Sequence, residues 1–221
     1  MQRKIITTAD GSTTIQIEDW DEQYHSVHGA IQESNHVFIK QGLLFSCAEN
    51  DTLSILEIGF GTGLNALITL MHAEQLNLNI DYVGIEAYPV KSEELRQLNY
   101  VKELHVDAAI FSSLHDSTWE SRHEITPYFN LTKQQKHFKD IDQKDSFDLI
   151  YFDAFGARVQ PELWTETIFK IMFDALKNRG VLVTYSAKGS VRRAMQAVGF
   201  IVERLEGPPG KREMLRAIKS V

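Results

Sequence analysis

Apolar and polar positions alternate near the start of the chain and then lose that alternation. Residues 5–17 alternate around Asp10-Gly11, a pattern that is typical of a β-hairpin. Residues 19–44 are polar with scattered apolar positions, so we expect a lid with short helices there rather than a core strand. We therefore predict an N-terminal hairpin and lid segment over residues 1–50.

From residue 51 onward, apolar runs bounded by turn residues alternate with helical patterns. The predicted strands are 54–58, 80–86, 129–138 (the second arm of a hairpin that begins near Trp119), 147–153, 181–186, 200–205 and 213–218. The predicted helices are 64–75, 89–103, 106–114, 161–178 (ended by Arg179-Gly180) and 189–198. This alternation favours a mostly parallel sheet covered on both faces. The last two strands form a reversed pair, so residues 51–221 are predicted as a seven-stranded Rossmann-like α/β domain with an antiparallel edge strand.

A glycine-rich turn follows the first predicted strand of this domain. It contains Gly59, Gly61 and Gly63, preceded by Glu57 and followed by Asn65 in the first helical turn. Glycines let a ligand approach the main chain, and the helix directs free N–H groups toward it. The spacing matches neither a dinucleotide fingerprint nor a P-loop, which would need a lysine. The acid favours a cofactor with a cationic amino-acid end, namely S-adenosylmethionine; the alternative is a tight turn that binds nothing.

Two further acids could contact such a cofactor. Glu86 ends the second strand, where nucleotide-binding folds place an acid on the ribose hydroxyls. Asp140 lies where the third strand should end and could accept a hydrogen bond from the adenine amino group. A solvated loop acid is an equal alternative for Asp140, because Asp142 and Asp145 are close rivals.

Asp153 is the main candidate for catalysis. It ends a nearly continuous apolar strand, so it should lie at the carboxyl edge of the sheet, outside which ligands bind in such folds. Phe155 follows in a short apolar loop that could stack a flat ring. A carboxylate there can orient an amine on the methyl donor's axis and take its proton. The alternative is an Asp that caps the next helix.

Charge is distributed unevenly along the chain. The net charge of −7 argues against broad, non-specific nucleic-acid binding, yet residues from Lys177 onward carry ten Lys and Arg against three Glu. This basic quarter could face the phosphates of a long substrate, and solvated helix faces are the even alternative. The candidate substrate-binding cations are Lys188, Arg192, Arg193, Lys211 and Arg212.

Several other classes of protein do not fit the sequence. The single Cys47 excludes an internal disulfide framework and any four-cysteine zinc site, and the eight histidines form no metal-binding motif, so we expect no metal. No apolar stretch approaches the roughly 20 residues needed to span a bilayer, and the N-terminus has no signal-peptide pattern. We expect a cytoplasmic protein with no membrane partner.

Three blocks of the chain carry a resemblance to a known family. The blocks are 24–26 with 29–39, then 56–65, and finally 152–155 with 161–164, 184–193 and the terminal 207–214. Together they resemble the methyltransferase domain of the tRNA 5-methylaminomethyl-2-thiouridine enzymes (MnmC type), over roughly residues 20 to 218. The Asp-Ala-Phe … Pro-Glu-Leu-Trp sequence and the Lys-Arg-Glu-Met sequence are much more specific than the glycine turn.

The resemblance implies a class I S-adenosylmethionine-dependent methyltransferase that acts on tRNA. Its acceptor would be the exocyclic amine of 5-aminomethyl-(2-thio)uridine at the wobble position, with Asp153 matching the catalytic acid beside that amine. Bifunctional relatives add an FAD-dependent oxidase domain, and nothing in this sequence supplies one, so we expect the stand-alone form. A small-molecule amine methyltransferase or aminopropyltransferase is the second hypothesis, and a non-catalytic fold relative is the third.

Overall fold

A small antiparallel sheet opens the structure. The computed structural model describes residues 2–47 and 51–220. Strands β1 (Arg3–Thr7), β2 (Thr13–Ile17) and β3 (Glu22–Gln23) form this sheet in sequence order. Strands β1 and β2 pair with Ile5 opposite Ile15, which confirms the hairpin predicted from the alternating pattern.

The second sheet has eight strands and dominates the molecule. Its strands are β4 (Thr52–Ile58), β5 (Asn79–Ile85), β6 (Arg122–Thr126), β7 (Phe129–Gln134), β8 (Phe147–Phe152), β9 (Leu176–Thr184), β10 (Phe200–Glu206) and β11 (Glu213–Lys219). They lie in the order β10-β11-β9-β8-β4-β5-β7-β6. The five strands from β9 to β7 are mutually parallel, so the predicted mostly parallel α/β fold is confirmed.

Two details of the predicted sheet are wrong. The sheet has eight strands rather than seven, because β6, the first arm of the hairpin, also pairs with β7. The reversed strand β11 is not at the edge: it lies between β9 and β10 and is antiparallel to both. The short turn after β10 can only return the chain beside β10, and since β11 also pairs with β9, β10 becomes the edge strand.

The helices on this sheet agree with the predicted ones in order. They are α3 (Leu64–Leu76), α4 (Ser92–Leu95), α5 (Tyr100–Glu103), α6 (Ala108–Asp116), α7 (Glu166–Ala175) and α8 (Gly189–Ala197), with 3-10 turns at Glu18–Trp20, Phe138–Asp140 and Pro161–Trp164. The helix predicted over 89–103 is instead two short helices. The helix predicted to reach residue 178 ends at Ala175, and β9 begins at once. Arg179, at φ +64°, and Gly180 lie in an irregular part of that strand.

The second half of the predicted lid is a helical segment packed into the core. It consists of α1 (Ala30–Ser34), a π-helix (Asn35–Leu43) and α2 (Leu44–Ser46). Phe38 and Leu43 are fully buried in one hydrophobic cluster with α3 and the sheet, and the Phe38 ring lies 5.1 Å from that of Tyr151. The predicted domain boundary at residue 50 falls beside residues 48–50, outside the described residues, and stays a prediction.

Candidate active site

A cavity of about 990 Å³ opens at the carboxyl ends of β4, β5 and β8. Parallel strands of such sheets bind ligands at this edge. Eight of the predicted site residues line it: Gly59, Gly61, Asn65, Glu86, Asp153, Phe155, Lys188 and Lys211. Glu57 and Gly63 lie behind this lining, while Asp140, Arg192, Arg193 and Arg212 are outside it.

The glycine turn needs its glycines for conformation and for space. Gly59, Gly61 and Gly63 have φ angles of +91°, +49° and +72°, which side chains other than glycine rarely adopt. A Cβ on Gly59 would lie 2.7 Å from the carbonyl oxygen of Asp153. The turn therefore passes directly against the end of β8, and this brings the predicted cofactor loop to the predicted catalytic acid.

Asn65 joins the buried Glu57 and the half-buried Asp153 at the floor of the cavity. Its amide nitrogen Nδ2 donates to Glu57 Oε1 and to Asp153 Oδ2, both at 2.9 Å. Its carbonyl oxygen Oδ1 accepts a hydrogen bond of 2.6 Å from the hydroxyl of Ser34. Glu57 is only 1% exposed, and burial raises its pKa well above the ordinary value, while the bond from Asn65 opposes that rise. These side chains form one hydrogen-bonded network.

Asp153 is tuned toward protonation at neutral pH. Loss of water at the cavity floor raises its pKa to about 7, and the negative charge of Glu33 acts in the same direction. The hydrogen bond from Asn65 and the positive charge of Lys211 oppose this increase. A carboxyl group with such a pKa can both accept and release a proton near pH 7, as acid–base catalysis requires.

Glu33 and Lys211 form an ion pair beside Asp153. Lys211 Nζ donates to Glu33 Oε1 and also lies 3.9 Å from the centre of the Tyr185 ring. The other carboxylate oxygen of Glu33 accepts from the backbone N–H of Ser26 at 2.9 Å. Lys211 is a predicted substrate-binding residue, and in the structure it is paired with a buried acid on α1.

Glu86 lies at the end of β5, across the glycine turn. Its carboxylate accepts backbone N–H groups of Gly61 at 3.1 Å and of Tyr88 at 2.9 Å. It holds the turn and still lines the cavity, so its remaining lone pairs are available to hydroxyl groups of a ligand. Asp140 is exposed, and its neighbours Phe138 and Lys139 line the cavity in its place.

Aromatic rings form the wall next to Asp153. The Phe155 ring lies edge-on to Tyr24 at 4.9 Å and to Trp20 at 5.8 Å. Its loop is held by two side-chain donors: Trp164 Nε1 donates to the carbonyl of Phe155 and Tyr185 to that of Ala154, both at 2.8 Å. This wall offers flat apolar surfaces to a ring-shaped substrate.

Arg158 connects two segments at the rim of the cavity. Its guanidinium donates to the carbonyls of Trp20 and Asp21 at 3.0 and 2.8 Å and to the Glu22 carboxylate at 3.0 Å. It thereby links the loop after Asp153 to the turn between β2 and β3.

The sequence analysis missed the contribution of the N-terminal segment to the floor. Glu33 and Ser34 are 7% and 1% exposed, although polar. Glu33 lies three residues after Ala30, and Ser34 lies three residues before Val37. Both Ala30 and Val37 are fully buried. This helical spacing places Glu33 and Ser34 on the inward face and could have identified them.

The floor and rim fit an S-adenosylmethionine molecule. The glycine turn exposes backbone with no Cβ in the way, Glu86 presents a carboxylate for ribose hydroxyls, and buried acids underlie the turn. Within residues 2–47 and 51–220, no cluster of three or more His, Cys, Asp or Glu side chains could hold a metal ion. Over the same residues, no helix has the length and apolar character to cross a membrane.

Comparisons with known proteins agree with this geometry. Residues 119–220 match a family model described as S-adenosyl-L-methionine-dependent methyltransferase. The chain is 29% identical to the tRNA 5-methylaminomethyl-2-thiouridine biosynthesis bifunctional protein MnmC of Actinobacillus pleuropneumoniae, over 90% of this chain and 32% of that protein. It therefore spans about a third of the length of this curated relative.

Solved structures show the same relationship. The crystal structure of MnmC2 from Aquifex aeolicus matches with a TM-score of 0.81 and 27% identity, covering 98% of this chain and 69% of that one. Spermidine synthase from Thermotoga maritima shares the fold, with a TM-score of 0.57 and 16% identity over 99% of this chain and 73% of that one. This chain is therefore similar to the S-adenosyl-L-methionine-dependent methyltransferases over residues 119–220 and, over nearly its whole length, to the solved MnmC2 structure.

Proposed function

We propose that this enzyme methylates the exocyclic amine of 5-aminomethyl-(2-thio)uridine at the tRNA wobble position, giving 5-methylaminomethyl-(2-thio)uridine. The observation that carries this proposal is the position of Asp153, a carboxyl group with a pKa of about 7 between the glycine turn and an aromatic wall. The name of the Actinobacillus relative, a tRNA 5-methylaminomethyl-2-thiouridine biosynthesis protein, favours tRNA as the substrate. A tRNA substrate would place the enzyme in the cytoplasm.

In this proposal Asp153 is the catalytic acid–base group. S-adenosylmethionine supplies a methyl group activated by its sulfonium. Asp153 accepts an N–H of the acceptor amine, which directs the nitrogen lone pair toward that methyl carbon. Bound S-adenosylmethionine would supply the methyl carbon to this nitrogen, and the Asp153 carboxylate would take the proton that the nitrogen loses.

The cofactor would be held by residues of β4, β5 and the glycine turn. Gly59, Gly61 and Gly63 give main-chain access, Glu86 binds the ribose hydroxyls, and Glu57 and Asn65 bind near the amino-acid end. Asp153 would lie close to the cofactor's methyl group. Asp140 remains a proposed adenine contact that would require movement of the 3-10 turn on which it lies.

The nucleoside would lie against the Phe155 ring, with the tRNA backbone beyond it. Unstacked bases of RNA are commonly bound on aromatic side chains. Lys188 lines the cavity, and Arg192, Arg193 and Arg212 lie outside it, where they would meet phosphates. Lys211 would act within the site through its ion pair.

The test uses bulk tRNA from a strain that lacks this activity. The protein is first shown by calorimetry to bind S-adenosylmethionine, and it is then incubated with tRNA and methyl-labelled cofactor. We expect label in the 5-methylaminomethyl nucleoside after digestion. Unlabelled tRNA from a protein that binds the cofactor would refute the proposal.

A second arm of the test addresses the small-molecule hypothesis. Putrescine and spermidine are incubated with labelled S-adenosylmethionine and, separately, with its decarboxylated form. Product from either amine, together with unlabelled tRNA, would establish an amine methyltransferase or an aminopropyltransferase instead.

A further inference from the structure

The hydroxyl of Ser34 and the amide of Asn65 form a buried connection between the N-terminal helical segment and the catalytic acid. Both side chains are almost fully buried, at 1% and 2% exposure. Ser34 is the last residue of α1, and Asn65 lies in the first turn of α3, directly after the glycine turn. The connection therefore joins two elements that are 31 residues apart in sequence.

The chemistry of the amide makes its orientation decisive. An Asn side chain has one acceptor end and one donor end, and ionised carboxylates only accept hydrogen bonds. With the bond from Ser34 on Oδ1, the two N–H groups of Nδ2 point at Glu57 and Asp153. The reversed amide would turn a carbonyl oxygen toward the ionised Asp153 and leave that carboxylate without this donor.

We infer that Ser34 and Asn65 are positioning residues, in which the Ser34 hydroxyl fixes the Asn65 amide so that it holds Glu57 and Asp153 at a set separation and orientation. Because Glu57 underlies the cofactor turn and Asp153 serves the acceptor amine, one amide aligns the two halves of the reaction. This role rests on the proposed function for its catalytic consequence only. The effect on the acid groups themselves is present in the free protein.

The main test measures the titration of Asp153 directly in the free protein. Carboxyl carbon NMR on protein labelled at Asp follows the pH titration, with the Asp153 signal assigned by its loss in Asp153→Asn. In Asn65→Ala we expect the proton affinity of Asp153 to rise about tenfold, since a hydrogen bond to a charged group is lost. Ser34→Ala should also raise the proton affinity of Asp153, by a smaller factor, because the Asn65 amide can then reverse.

Two control variants separate positioning from general destabilisation. Thr69→Val removes a buried hydroxyl one turn further along α3, where Thr69 bonds Tyr151 at 3.3 Å. Ser12→Ala removes a buried serine hydroxyl that bonds Asp10 in the turn between β1 and β2. Neither should move the Asp153 titration. An unchanged titration in Asn65→Ala and Ser34→Ala, or an equal shift in the controls, would overturn the inference.

Kinetics then separate this inference from the proposed function. If wild-type protein methylates tRNA, Ser34→Ala should lower kcat about tenfold and move the acid limb of the pH profile upward, with KM for S-adenosylmethionine within a few-fold. If wild-type protein methylates no tRNA, the proposed function fails, and the NMR titration still decides the role of Ser34 and Asn65. A lowered kcat without any movement of the pH profile would show a merely structural role.

Discussion

The Glu33–Lys211 ion pair should have opposite effects on Asp153 through its two members. Burial raises the pKa of Asp153 to about 7; the negative charge of Glu33 adds to that increase, and the positive charge of Lys211 opposes it. Lys211→Met should therefore move the acid limb of kcat/KM to higher pH, and Glu33→Gln should move it to lower pH. Removal of either charge from this partly buried site should move the acid limb by about 1 pH unit.

Both variants should destabilise the protein, Lys211→Met more than Glu33→Gln. Lys211→Met leaves the carboxylate of Glu33, whose side chain is 9% exposed, without its cation. We expect a loss of about 2 kcal/mol, below the usual cost for a buried pair because the lysine side chain is 31% exposed. This corresponds to a fall in Tm of about 4–8 °C. Glu33→Gln should cost less, since the amide oxygen still accepts from Lys211.

The assay compares pH profiles of methyl transfer with one tRNA substrate, so that the titration of the substrate amine is common to all variants. Lys219→Met is the control for loss of a paired lysine elsewhere, because Lys219 on β11 pairs with Asp145 at 2.8 Å, away from the cavity. It should lower Tm without moving the pH profile. Movement of both Glu33→Gln and Lys211→Met in one direction would refute the electrostatic reasoning.

Four further predictions concern Asp153, the glycine turn and the docking surface. Asp153→Asn should reduce kcat by about 10²–10⁴ while calorimetric affinity for S-adenosylmethionine stays within a few-fold; retained turnover would contradict a catalytic role. The same variant should gain stability relative to wild type as pH rises from 5 to 8, measured by Tm, because the raised pKa of Asp153 means that its charged form disfavours the folded state. Gly59→Ala should abolish cofactor binding or lower Tm by several degrees, since its Cβ would lie 2.7 Å from a backbone oxygen at φ +91°. Raising salt from 50 to 200 mM should increase KM for tRNA steeply and leave that for the cofactor unchanged, and a salt-insensitive KM for tRNA would exclude the basic quarter as the docking surface.

The order of elements after residue 51 could be predicted because buried parallel strands appear as short apolar runs between turn residues. The neighbours of each strand could not, because pairing is a long-range property. Strand β11 pairs with β9 across about 30 residues of chain, and nothing local indicates that β10 lies outside it. The end of α7 was misplaced because Gly180 resembles a helix C-cap, while Leu176 already pairs with Phe147 of β8.

The acids of the site were predictable for a similar local reason. Glu57, Glu86 and Asp153 each end an apolar strand, so the edge of the sheet brings them to one cavity rim or floor. Glu33 and Ser34 reach that floor from the predicted lid segment; their helical spacing indicates an inward face, but it does not indicate that this face packs against Asn65 and Asp153. Lys211 was identified as a site residue, but its partner could not be read from charge patterning alone.

The packing of the N-terminal segment determines which side of the cavity can open. Glu33 and Ser34 lie on a helical segment whose Phe38 and Leu43 are part of the close-packed core. Moving Glu33 and Ser34 away from Asp153 would therefore require that core to repack. At the rim, by contrast, Arg158 is 58% exposed and holds the turn at residues 20–22 by surface contacts of small net stability. Local opening occurs where the contacts contribute least to stability, which here is the rim. We therefore predict that the proposed nucleoside enters between Phe155 and the Trp20–Glu22 turn, while the acids and the amide beneath it stay in place.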